Sequence, residues 1–526
     1  MGRSDGVAAV GAGLLRGASE GGLWVFRGVP YASSPGGPGR WRRPRPPASW
    51  TGVRDALSWG PVAPQPPPIA GLRIPGDPEV SDEDCLSLNI WTPGLDDRRR
   101  PVLVWVHGGG FTTGSGASVV YRGDRLASRG DVVVVTLNYR LGALGFLAHP
   151  ALGDGVGPGY GNWGLYDQVA ALEWVHEHVD AFGGDPQNVT VFGESAGAMS
   201  ISVLLASSAC GRLFHRAVVQ SGPPATASVE WGARRAERLA EIAGVEPVGG
   251  FDRESLERLE PQELIRATED MTDEVAGEVG LPLPLLPVVD GELLTRPPAK
   301  AISEGATARV PFLVGTTRDE VALFMEVDPS SKDIDMRSLI RRVERIAAKS
   351  GAQSLVEAYS DSREARGEPT TPRDLLIAIT TDYVFRLPSL ALATASHKHQ
   401  PATFAYLFTW ESPFLGGILG STHGLEIPFV FGTVENEVIG TFSGSGPQAF
   451  ELSVAMQEAW LAFARTGDPS CDALGDWPSY DPLCRPTMVL GPGRGIADDP
   501  RGSERLAWDG TGIEITGGHH HEIRRA

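Results

Sequence analysis

The sequence predicts an α/β protein whose mostly parallel central sheet carries helices on both faces. Two nearly continuous apolar runs, at 102–106 and 131–137, are typical of strands that are buried on both sides. Apolar residues then recur at helical spacing over 165–182, and the glycines and proline of 183–186 end this helix. A β-branched run and a second apolar helix follow over 188–206. Because strand and helix alternate in this way, the strands are expected to be parallel and joined by helical crossovers.

The rest of the chain adds strands to this sheet and helical insertions between them. Short apolar runs predict four more strands, at 87–91, 216–220, 310–314 and 403–408. Two charged stretches, roughly 224–305 and 325–400, are interpreted as helical insertions rather than as separate domains. Proline- and glycine-rich stretches at 34–47 and 61–78 are expected to be surface loops. The chain is therefore expected to form one domain over 1–526, with a polar tail at 510–526.

Composition excludes several classes of partner. The 526 residues include 46 Lys and Arg against 65 Asp and Glu, a net charge of −19, which argues against nucleic acid and anionic membranes. No segment approaches the ~20 uninterrupted apolar residues of a membrane span, and no signal peptide is evident at the N-terminus. We therefore expect a cytoplasmic monomer or small homo-oligomer. The four cysteines lack metal-binding spacing, and free thiols are favoured over a disulfide between Cys471 and Cys484.

One serine stands at a turn between a strand and a helix. The segment 193–197 reads Gly-Glu-Ser-Ala-Gly, with Ser195 at its centre. A serine between glycines at such a turn is typical of the nucleophile elbow of hydrolytic enzymes, where a strained backbone exposes the hydroxyl. The same pattern occurs at 17–21 around Ser19, but no strand leads into it and no helix follows, so Ser19 is interpreted as a hairpin-turn residue. The motif alone therefore does not assign a nucleophile.

An acyl-transfer site also needs donors for the oxyanion, and a glycine-rich loop supplies candidates. His107 and the three glycines 108–110 directly follow the strand that ends at residue 106. Consecutive glycines allow backbone N–H groups to point into a cavity, and a segment of this type forms the oxyanion hole together with the N–H after the nucleophile. The predicted donors are therefore Gly109, Gly110 and Ala196. His107 itself is interpreted as structural.

The base and its acid are expected downstream of Ser195, in the order serine, acid, histidine. Of eleven histidines, His423 lies on a glycine-rich loop after the strand at 403–408, whereas the others fall in turns, at helix ends, before strands or in the polar tail. The acid should follow the strand at 310–314, where Asp319 and Glu320 are adjacent. The residues alone leave the choice between these two carboxylates open.

A series of segments in a fixed order extends over nearly the whole chain, and it includes the serine turn and the glycine loop. The segments are 26–32, 81–89, 107–111, 138–142, 161–168, 183–197, 220–222, 423–424, 429–432 and 463–469. In these segments the chain resembles the type-B carboxylesterase family, which contains carboxylesterases, cholinesterases and bacterial p-nitrobenzyl esterases. The resemblance implies the α/β-hydrolase fold and serine ester hydrolysis that needs no metal or organic cofactor.

The resemblance also implies roles for individual residues. Ser195 becomes the acyl nucleophile, Glu320 the acid and His423 the base. Two structural ion pairs are implied as well, Arg140–Asp167 and Arg40–Glu83. Activity is expected to fall below pH ~6.5, because a protonated histidine cannot act as a base. Four residues are candidates for walls of the substrate pocket: Phe111, Leu323, Phe324 and Phe414.

Two departures narrow the expected function within the family. Cys85 stands where the family often begins a disulfide, but no cysteine precedes it in this chain, which agrees with a reducing compartment. The segment 62–82 contains no aromatic residue, whereas cholinesterases place a tryptophan there to hold choline by cation–π attraction. We therefore expect a carboxylesterase that acts on small to medium uncharged esters. The alternatives are a lipase or an amidase with the same triad, or a non-catalytic binding protein on the same fold.

Overall fold

An eleven-stranded mixed sheet forms the centre of the protein within the part of the chain that the structure describes. The structure is a computed structural model, and it describes residues 6–67, 75–78, 80–153, 160–207, 210–245, 251–275, 283–307, 309–328, 331, 333–347 and 349–509. The strands are β1 Val7–Val10, β2 Gly13–Arg16, β3 Ala18–Glu20, β4 Leu23–Pro30, β5 Val53–Asp55, β6 Ser87–Thr92, β7 Arg100–Val106, β8 Val133–Leu137, β9 Gly184–Glu194, β10 Arg216–Gln220, β11 Phe312–Thr317, β12 Thr403–Phe408, β13 Pro486–Leu490 and β14 Gly495–Asp498.

The sheet has the order β14-β13-β12-β11-β10-β9-β7-β8-β6-β4-β3. In this spatial order, every pairing between β13 and β8 is parallel. The pairings at the two ends of the sheet, which involve β14 on one side and β6, β4 and β3 on the other, are antiparallel. The prediction of a mostly parallel sheet is therefore confirmed. Strands β1, β2 and β5 form a separate small sheet.

Helices flank the sheet and fill the connections between its strands. They are α1 Asp124–Gly130, α2 Gly142–Phe146, α3 Trp163–His178, α4 Ala196–Ala206, α5 Val229–Ile242, α6 Arg253–Glu257, α7 Pro261–Val275, α8 Pro298–Ser303, α9 Ala322–Val327, α10 Met336–Ile346, α11 Lys349–Ala365, α12 Pro372–Thr381, α13 Leu387–His397, α14 Ile427–Phe431, α15 Glu437–Ser443, α16 Pro447–Thr466 and α17 Gly502–Leu506. Helices α5 to α8 lie between β10 and β11, and α9 to α13 lie between β11 and β12. These are the two predicted insertions; the single-domain organisation stays a prediction, and the polar tail at 510–526 lies outside the described residues.

The structure corrects two details of the sequence interpretation. Ser19 is not in a turn: it lies in β3 opposite Trp24, and the hairpin turn is formed by Gly21 and Gly22. The strand predicted to begin at Asp131 begins at Val133, because Asp131 adopts a left-handed conformation that ends α1. Turn glycines determine where the hairpin turns, and the end of α1 determines where β8 begins. The periodicity of apolar residues does not predict either position.

Alternate side chains of the central strands pack on opposite faces of the sheet. Along β7, Val102, Val104 and Val106 belong to one apolar cluster, and Leu103 and Trp105 belong to the other. This alternation follows from strand geometry, which points successive side chains to opposite sides. The sheet is thus buried on both faces, as the nearly continuous apolar runs predicted.

One continuous helical stretch, Pro372–His397, is long and apolar enough to cross a membrane by length and composition. In this fold, 78% of its most apolar window is buried inside the protein. The stretch consists of α12, the connecting residues 382–386 and α13, and α13 packs against β11 and β12. A core helix passes the same test as a membrane span, so its apolar composition is explained by burial in the protein.

Both ion pairs implied by the family resemblance are present. The side chains of Arg140 and Asp167 are almost fully buried, and Arg140 donates Nε and Nη2 to the two carboxylate oxygens at 2.8 and 2.7 Å. Arg40 donates in the same two-pronged way to Glu83 at 2.7 and 2.6 Å. All four cysteines are free.

The buried Arg140–Asp167 pair provides a stability test. Asp167→Asn leaves the Arg140 charge without its anion in a buried site, so we expect the free energy of unfolding to fall by about 3–5 kcal/mol. The control is Asp55→Asn, which breaks the exposed Arg16–Asp55 pair and should cost less than about 1 kcal/mol. Urea unfolding of both variants checks the difference, and equal small losses would contradict the assignment of Asp167 as an essential buried partner.

Candidate active site

Ser195 occupies the sharp turn between β9 and α4. Its backbone has φ 55° and ψ −126°, a conformation that L-residues rarely adopt and that tertiary contacts must maintain. The Ser195 N–H donates to the Gln220 carbonyl at 3.0 Å, which ties the turn to the end of β10. The predicted strained turn is therefore present at this serine.

The glycines around Ser195 are required by a close approach of backbones. A Cβ atom added to Gly197 would lie 2.1 Å from the carbonyl oxygen of Val106, and one added to Gly193 would lie 2.6 Å from the same oxygen. The end of β9 and the start of α4 therefore pack directly against the end of β7. This packing brings the loop after β7 next to the serine.

The loop after β7, residues 107–113, is the predicted oxyanion loop, and it lies beside Ser195: a Cβ added to Gly108 would lie 3.0 Å from Ser195 Cβ. Thr112 and Thr113 both donate their N–H groups to the Gly109 carbonyl, at 3.0 and 2.9 Å, and this closes the loop into a tight turn. Gly109 has φ 110°, and a Cβ there would lie 2.2 Å from the Thr113 carbonyl oxygen. Within the described residues, the N–H groups of Gly109, Gly110 and Ala196 donate no hydrogen bond. These are the three predicted oxyanion donors, and their role stays a prediction.

The side chain of His107 packs beside this loop. Its ring is fully buried and stacks on Tyr139 with centroids 4.4 Å apart. Since a carbonyl oxygen can only accept, His107 donates its Nδ1 proton to Gly108 at 2.8 Å. Burial lowers the pKa of His107 to about 4, so the imidazole is neutral near pH 7. These contacts agree with the structural role expected for His107.

His423 and Glu320 form a short, buried hydrogen bond. His423 Nδ1 lies 2.6 Å from Glu320 Oε2, and the glutamate is fully buried. The other carboxylate oxygen accepts from the Thr317 N–H at 2.8 Å, and the His423 N–H donates to the Glu320 carbonyl at 3.3 Å. The end of β11 and the loop after β12 therefore meet at this pair.

Asp319, adjacent to Glu320, has a different partner. Its carboxylate accepts from the Ser421 N–H at 2.8 Å, and its own N–H donates to the Ser421 carbonyl at 2.9 Å. Arg318 donates to the same carboxylate at 2.7 Å. Asp319 thus holds the loop that carries His423, whereas Glu320 contacts the imidazole. The geometry distinguishes two carboxylates that the sequence left equivalent.

A second carboxylate beside the imidazole was missed by sequence reasoning. Glu194, directly before Ser195, is buried, and its Oε1 lies 3.0 Å from His423 Nε2. Among the hydrogen bonds of the described residues, none joins Ser195 Oγ to His423. The variable position of the serine motif gives no signal for this contact, because it depends on a loop more than 200 residues downstream.

The two glutamates set the charge state of the histidine. Burial alone would lower the pKa of His423, but the negative charges of Glu194 and Glu320 outweigh burial and raise that pKa well above its ordinary value of 6.5. The expectation that activity falls only below pH ~6.5 is therefore revised upward.

The pKa of a third buried glutamate, Glu426, is also shifted. Glu426 is fully buried, and its Oε1 accepts a hydrogen bond from Gln220 at 3.2 Å. Burial, reinforced by the charges of Glu194 and Glu320, raises the pKa of Glu426 to about 8. The carboxyl group of Glu426 therefore stays protonated to higher pH than that of a free glutamate.

Aromatic side chains flank the imidazole. The ring of Phe324 lies 5.2 Å from that of His423, and the ring of Phe385, which the sequence did not indicate, lies at 4.9 Å. Leu323 is half-buried next to Phe324, and its N–H donates to Thr422 Oγ1 at 3.0 Å.

The two other predicted wall residues contact other aromatic rings, and their place in a substrate pocket stays a prediction. Phe111 is fully buried against Phe146, and Phe414 is half-buried near Phe442, with centroids 4.7 and 6.4 Å apart. Leu283, which the sequence did not indicate, lies beside the oxyanion loop: its Cδ2 is 3.3 Å from the position that a Cβ on Gly110 would occupy. This contact joins two segments that are far apart in the chain, so no local sequence pattern predicts it.

The described residues contain no group of three or more His, Cys, Asp or Glu side chains arranged to hold a metal ion. The site itself contains a strained serine, an imidazole paired with a carboxylate and backbone N–H groups that donate no hydrogen bond within the described residues. Each of these groups is a component of acyl transfer.

Comparison with known proteins places the chain in a family. A sequence profile described as "Carboxylesterase family" matches residues 4–504. The para-nitrobenzyl esterase of Bacillus subtilis (strain 168) is 37% identical over 494 residues, covering 94% of this chain and 96% of that protein. The phenmedipham hydrolase of Pseudarthrobacter oxydans is 39% identical over 496 residues, covering 92% and 95%. A solved carboxylesterase structure from Geobacillus stearothermophilus has a TM-score of 0.83 at 39% identity, covering 96% of this chain and 100% of that one.

The fold and these matches define an enzyme with the α/β-hydrolase fold. Within that class the chain belongs to the carboxylesterase family, so it is a carboxylic ester hydrolase. The family resemblance stated from the sequence is thereby confirmed.

The charge on Glu194 gives the site a testable pH dependence. His423 must be neutral to act as a base, so the acid limb of kcat/KM should lie above pH 6.5 in the wild type. Glu194→Gln removes one of the two charges that raise the pKa, and we expect the limb to move to lower pH by about 1 unit. The control is Glu177→Gln, whose side chain is 68% exposed. A limb that stays in place in Glu194→Gln would show that Glu194 does not control the histidine.

Proposed function

We propose that the protein hydrolyses carboxylic esters through an acyl-enzyme intermediate, with Ser195 as nucleophile, His423 as base and Glu320 as acid. The observation that carries the proposal is the 2.6 Å hydrogen bond between Glu320 and His423, next to a serine in a strained turn. A carboxylate on Nδ1 fixes the imidazole tautomer and leaves Nε2 free to accept a proton. No metal or organic cofactor takes part.

The reaction has two halves that use the same groups. His423 Nε2 takes the proton from Ser195 Oγ as the oxygen attacks the ester carbonyl. The resulting oxyanion accepts hydrogen bonds from the N–H groups of Gly109, Gly110 and Ala196. His423 then donates its proton to the leaving alcohol, and a water molecule repeats the sequence to release the acid.

The position of Glu194 adds to this mechanism. It is adjacent to Ser195 in the chain, and it contacts the same imidazole nitrogen that must reach Ser195 Oγ. An imidazolium forms during attack, and Glu194 and Glu320 lie on opposite nitrogens of that cation. Their combined charge would stabilise the imidazolium in a buried site, where Coulombic interactions are stronger than in water.

The walls of the site favour small to medium uncharged esters. Apolar side chains also contact the imidazole and the oxyanion loop, namely Phe324, Phe385 and Leu283. The two glutamates that contact the imidazole would disfavour an anionic substrate. The names of the relatives, para-nitrobenzyl esterase and phenmedipham hydrolase, agree with a neutral aromatic group in at least one part of the substrate.

The nucleophile assignment has a matched control within the chain. Ser195→Ala removes the attacking oxygen, and we expect kcat on p-nitrophenyl acetate to fall by roughly 10³-fold or more, leaving oxyanion-hole catalysis. Ser19→Ala changes the other Gly-x-Ser-x-Gly serine, which lies in β3, and should leave kcat unchanged. A fluorophosphonate should label the wild type and Ser19→Ala but not Ser195→Ala. Near wild-type turnover in Ser195→Ala would contradict the proposal.

The same assay, extended to p-nitrophenyl esters of increasing acyl length, tests the substrate class. Rates that decline with chain length, without activation at an oil–water interface, would support an esterase of small substrates. Rates that rise with chain length and at an interface would point to a lipase, and turnover of anilides at comparable rates would point to an amidase.

A further inference from the structure

The long helical stretch between β11 and β12 contains one turn of π-helix. Residues Asp382–Arg386 form this turn between α12 and α13. Such wider turns inside α-helices are rare, and they are frequent at functional sites. The turn contains Phe385, which is fully buried and whose ring lies 4.9 Å from that of His423 at an interplanar angle of 45°. The irregular turn is thus in contact with the base of the proposed triad.

A buried polar cluster holds the π-helical turn. Tyr359 donates its hydroxyl to Asp382 Oδ2 at 2.5 Å, and Arg386 Nη1 lies 3.3 Å from both Asp382 oxygens. Asp382, Arg386 and Tyr359 are each at most 5% exposed. The first and last residues of the turn are therefore joined to each other and to α11.

The C-terminal segment 500–508 completes this cluster. Trp508 Nε1 donates to the Tyr359 hydroxyl at 2.7 Å, and Arg386 Nη2 donates to the Pro500 carbonyl. The indole of Trp508 also stacks on Tyr383, inside the π-helical turn, at 5.8 Å and 14°. Two contacts therefore run directly from this segment to the π-helical turn, and a third reaches the turn through Tyr359 of α11.

Ion pairs anchor the C-terminal segment itself. Glu504 in α17 is paired with Arg366 at 2.5 Å and with Arg501 at 3.3 Å, and Arg501 also pairs with Glu368 at 2.7 Å. Arg366 and Glu368 lie just after α11, the helix that carries Tyr359. The segment is thus held next to the end of the helix that presents Tyr359 to Asp382.

We propose that the segment 500–508 positions the catalytic histidine, with Trp508 and Tyr359 as positioning residues that act through Asp382 and Phe385. This inference rests on the proposed function of His423 as the base. If the cluster were lost, the π-helical turn could relax to regular α-helix. Because that turn would then contain one residue fewer, the side chains that follow would rotate by roughly 100° about the helix axis. Phe385 would then leave the imidazole, and a displacement of about 1 Å at a reacting group can cost roughly 10²-fold in rate.

The test compares two buried tyrosines that differ in their partner. Tyr359→Phe removes the hydroxyl that joins Trp508 to Asp382. Tyr480→Phe removes an equally buried hydroxyl, which bonds to Thr394 on α13 at 3.2 Å. Both variants lose one buried tyrosine hydroxyl, so a purely structural role predicts similar effects on kcat. We expect kcat on p-nitrophenyl acetate to fall by about tenfold in Tyr359→Phe, with KM changed less than about twofold, and to stay unchanged in Tyr480→Phe.

The acid limb of kcat/KM gives a readout that stability alone does not move. His423 faces Glu320 at the end of β11 and Glu194 at the end of β9, with Glu426 beside it on its own loop. None of these groups is changed in Tyr359→Phe, so a shift of the limb reports movement of the imidazole relative to them. A limb and a kcat that both match those of Tyr480→Phe would overturn the proposal, even if the melting temperature falls.

A double-mutant cycle tests whether Tyr359 acts through Phe385. Phe385→Leu keeps the site apolar but removes the ring on His423, and adding Tyr359→Phe to it should cause no further loss of kcat. Fully additive losses would contradict a shared route. Trp508→Phe, which removes the same hydrogen bond from the other side, should reproduce the kcat and pH profile of Tyr359→Phe, and a wild-type profile would contradict the proposal.

The failure of this inference can be told apart from the failure of the proposed function. If the wild type neither hydrolyses p-nitrophenyl acetate nor reacts with a fluorophosphonate at Ser195, the proposed function fails and this inference with it. If the wild type is active and labelled, while Tyr359→Phe behaves as Tyr480→Phe does, only the positioning role of the C-terminal segment is rejected.

Discussion

The hydrogen bond between Glu320 and His423 is the interaction on which the site depends. It joins residues 103 positions apart in the chain, and it connects the segment after β11 to the loop after β12. Several neighbouring contacts serve the same junction. Thr317 donates to Glu320, and Asp319 fixes the histidine loop through both of its hydrogen bonds to Ser421. The parallel sheet makes this possible, since it brings the carboxyl ends of its strands to one edge.

The electrostatics of the site follow from placing this pair among other buried acids. Glu194 and Glu320 raise the pKa of His423, and together with burial they raise that of Glu426. Glu194 and Glu320 contact the two nitrogens of one imidazole. This arrangement favours the imidazolium, which in the proposed mechanism is the species that forms when the serine attacks. Under that mechanism, the charges that stabilise the imidazolium also make the free base less available at low pH.

Local patterns in the sequence predicted much of the fold and part of the site. The central strands were found from apolar runs, and Ser195 was found because its turn needs glycines that touch β7. Such features lie within a few residues of each other, so a local pattern can report them. Strand ends were less accurate, because single residues such as Asp131 in left-handed conformations decide them.

Other features could not be read from the sequence, because they depend on contacts between distant segments. Asp319 and Glu320 are neighbours with equal chemistry, and only the position of the loop at 421–423 separates their roles. Phe385 reaches the histidine through a π-helical turn, which apolar periodicity does not indicate. Leu283 reaches the oxyanion loop from an insertion between β10 and β11.

The most direct test of the central pair compares these two adjacent carboxylates. Glu320→Gln keeps the shape of the side chain but removes the charge on His423 Nδ1, and kcat should fall by roughly 10³- to 10⁴-fold. Asp319→Asn keeps an oxygen that can accept from Ser421, and kcat should fall by less than about tenfold. Measuring kcat on p-nitrophenyl acetate for both variants decides the matter. Equal losses, or a larger loss in Asp319→Asn, would contradict the assignment of Glu320 as the partner of the base.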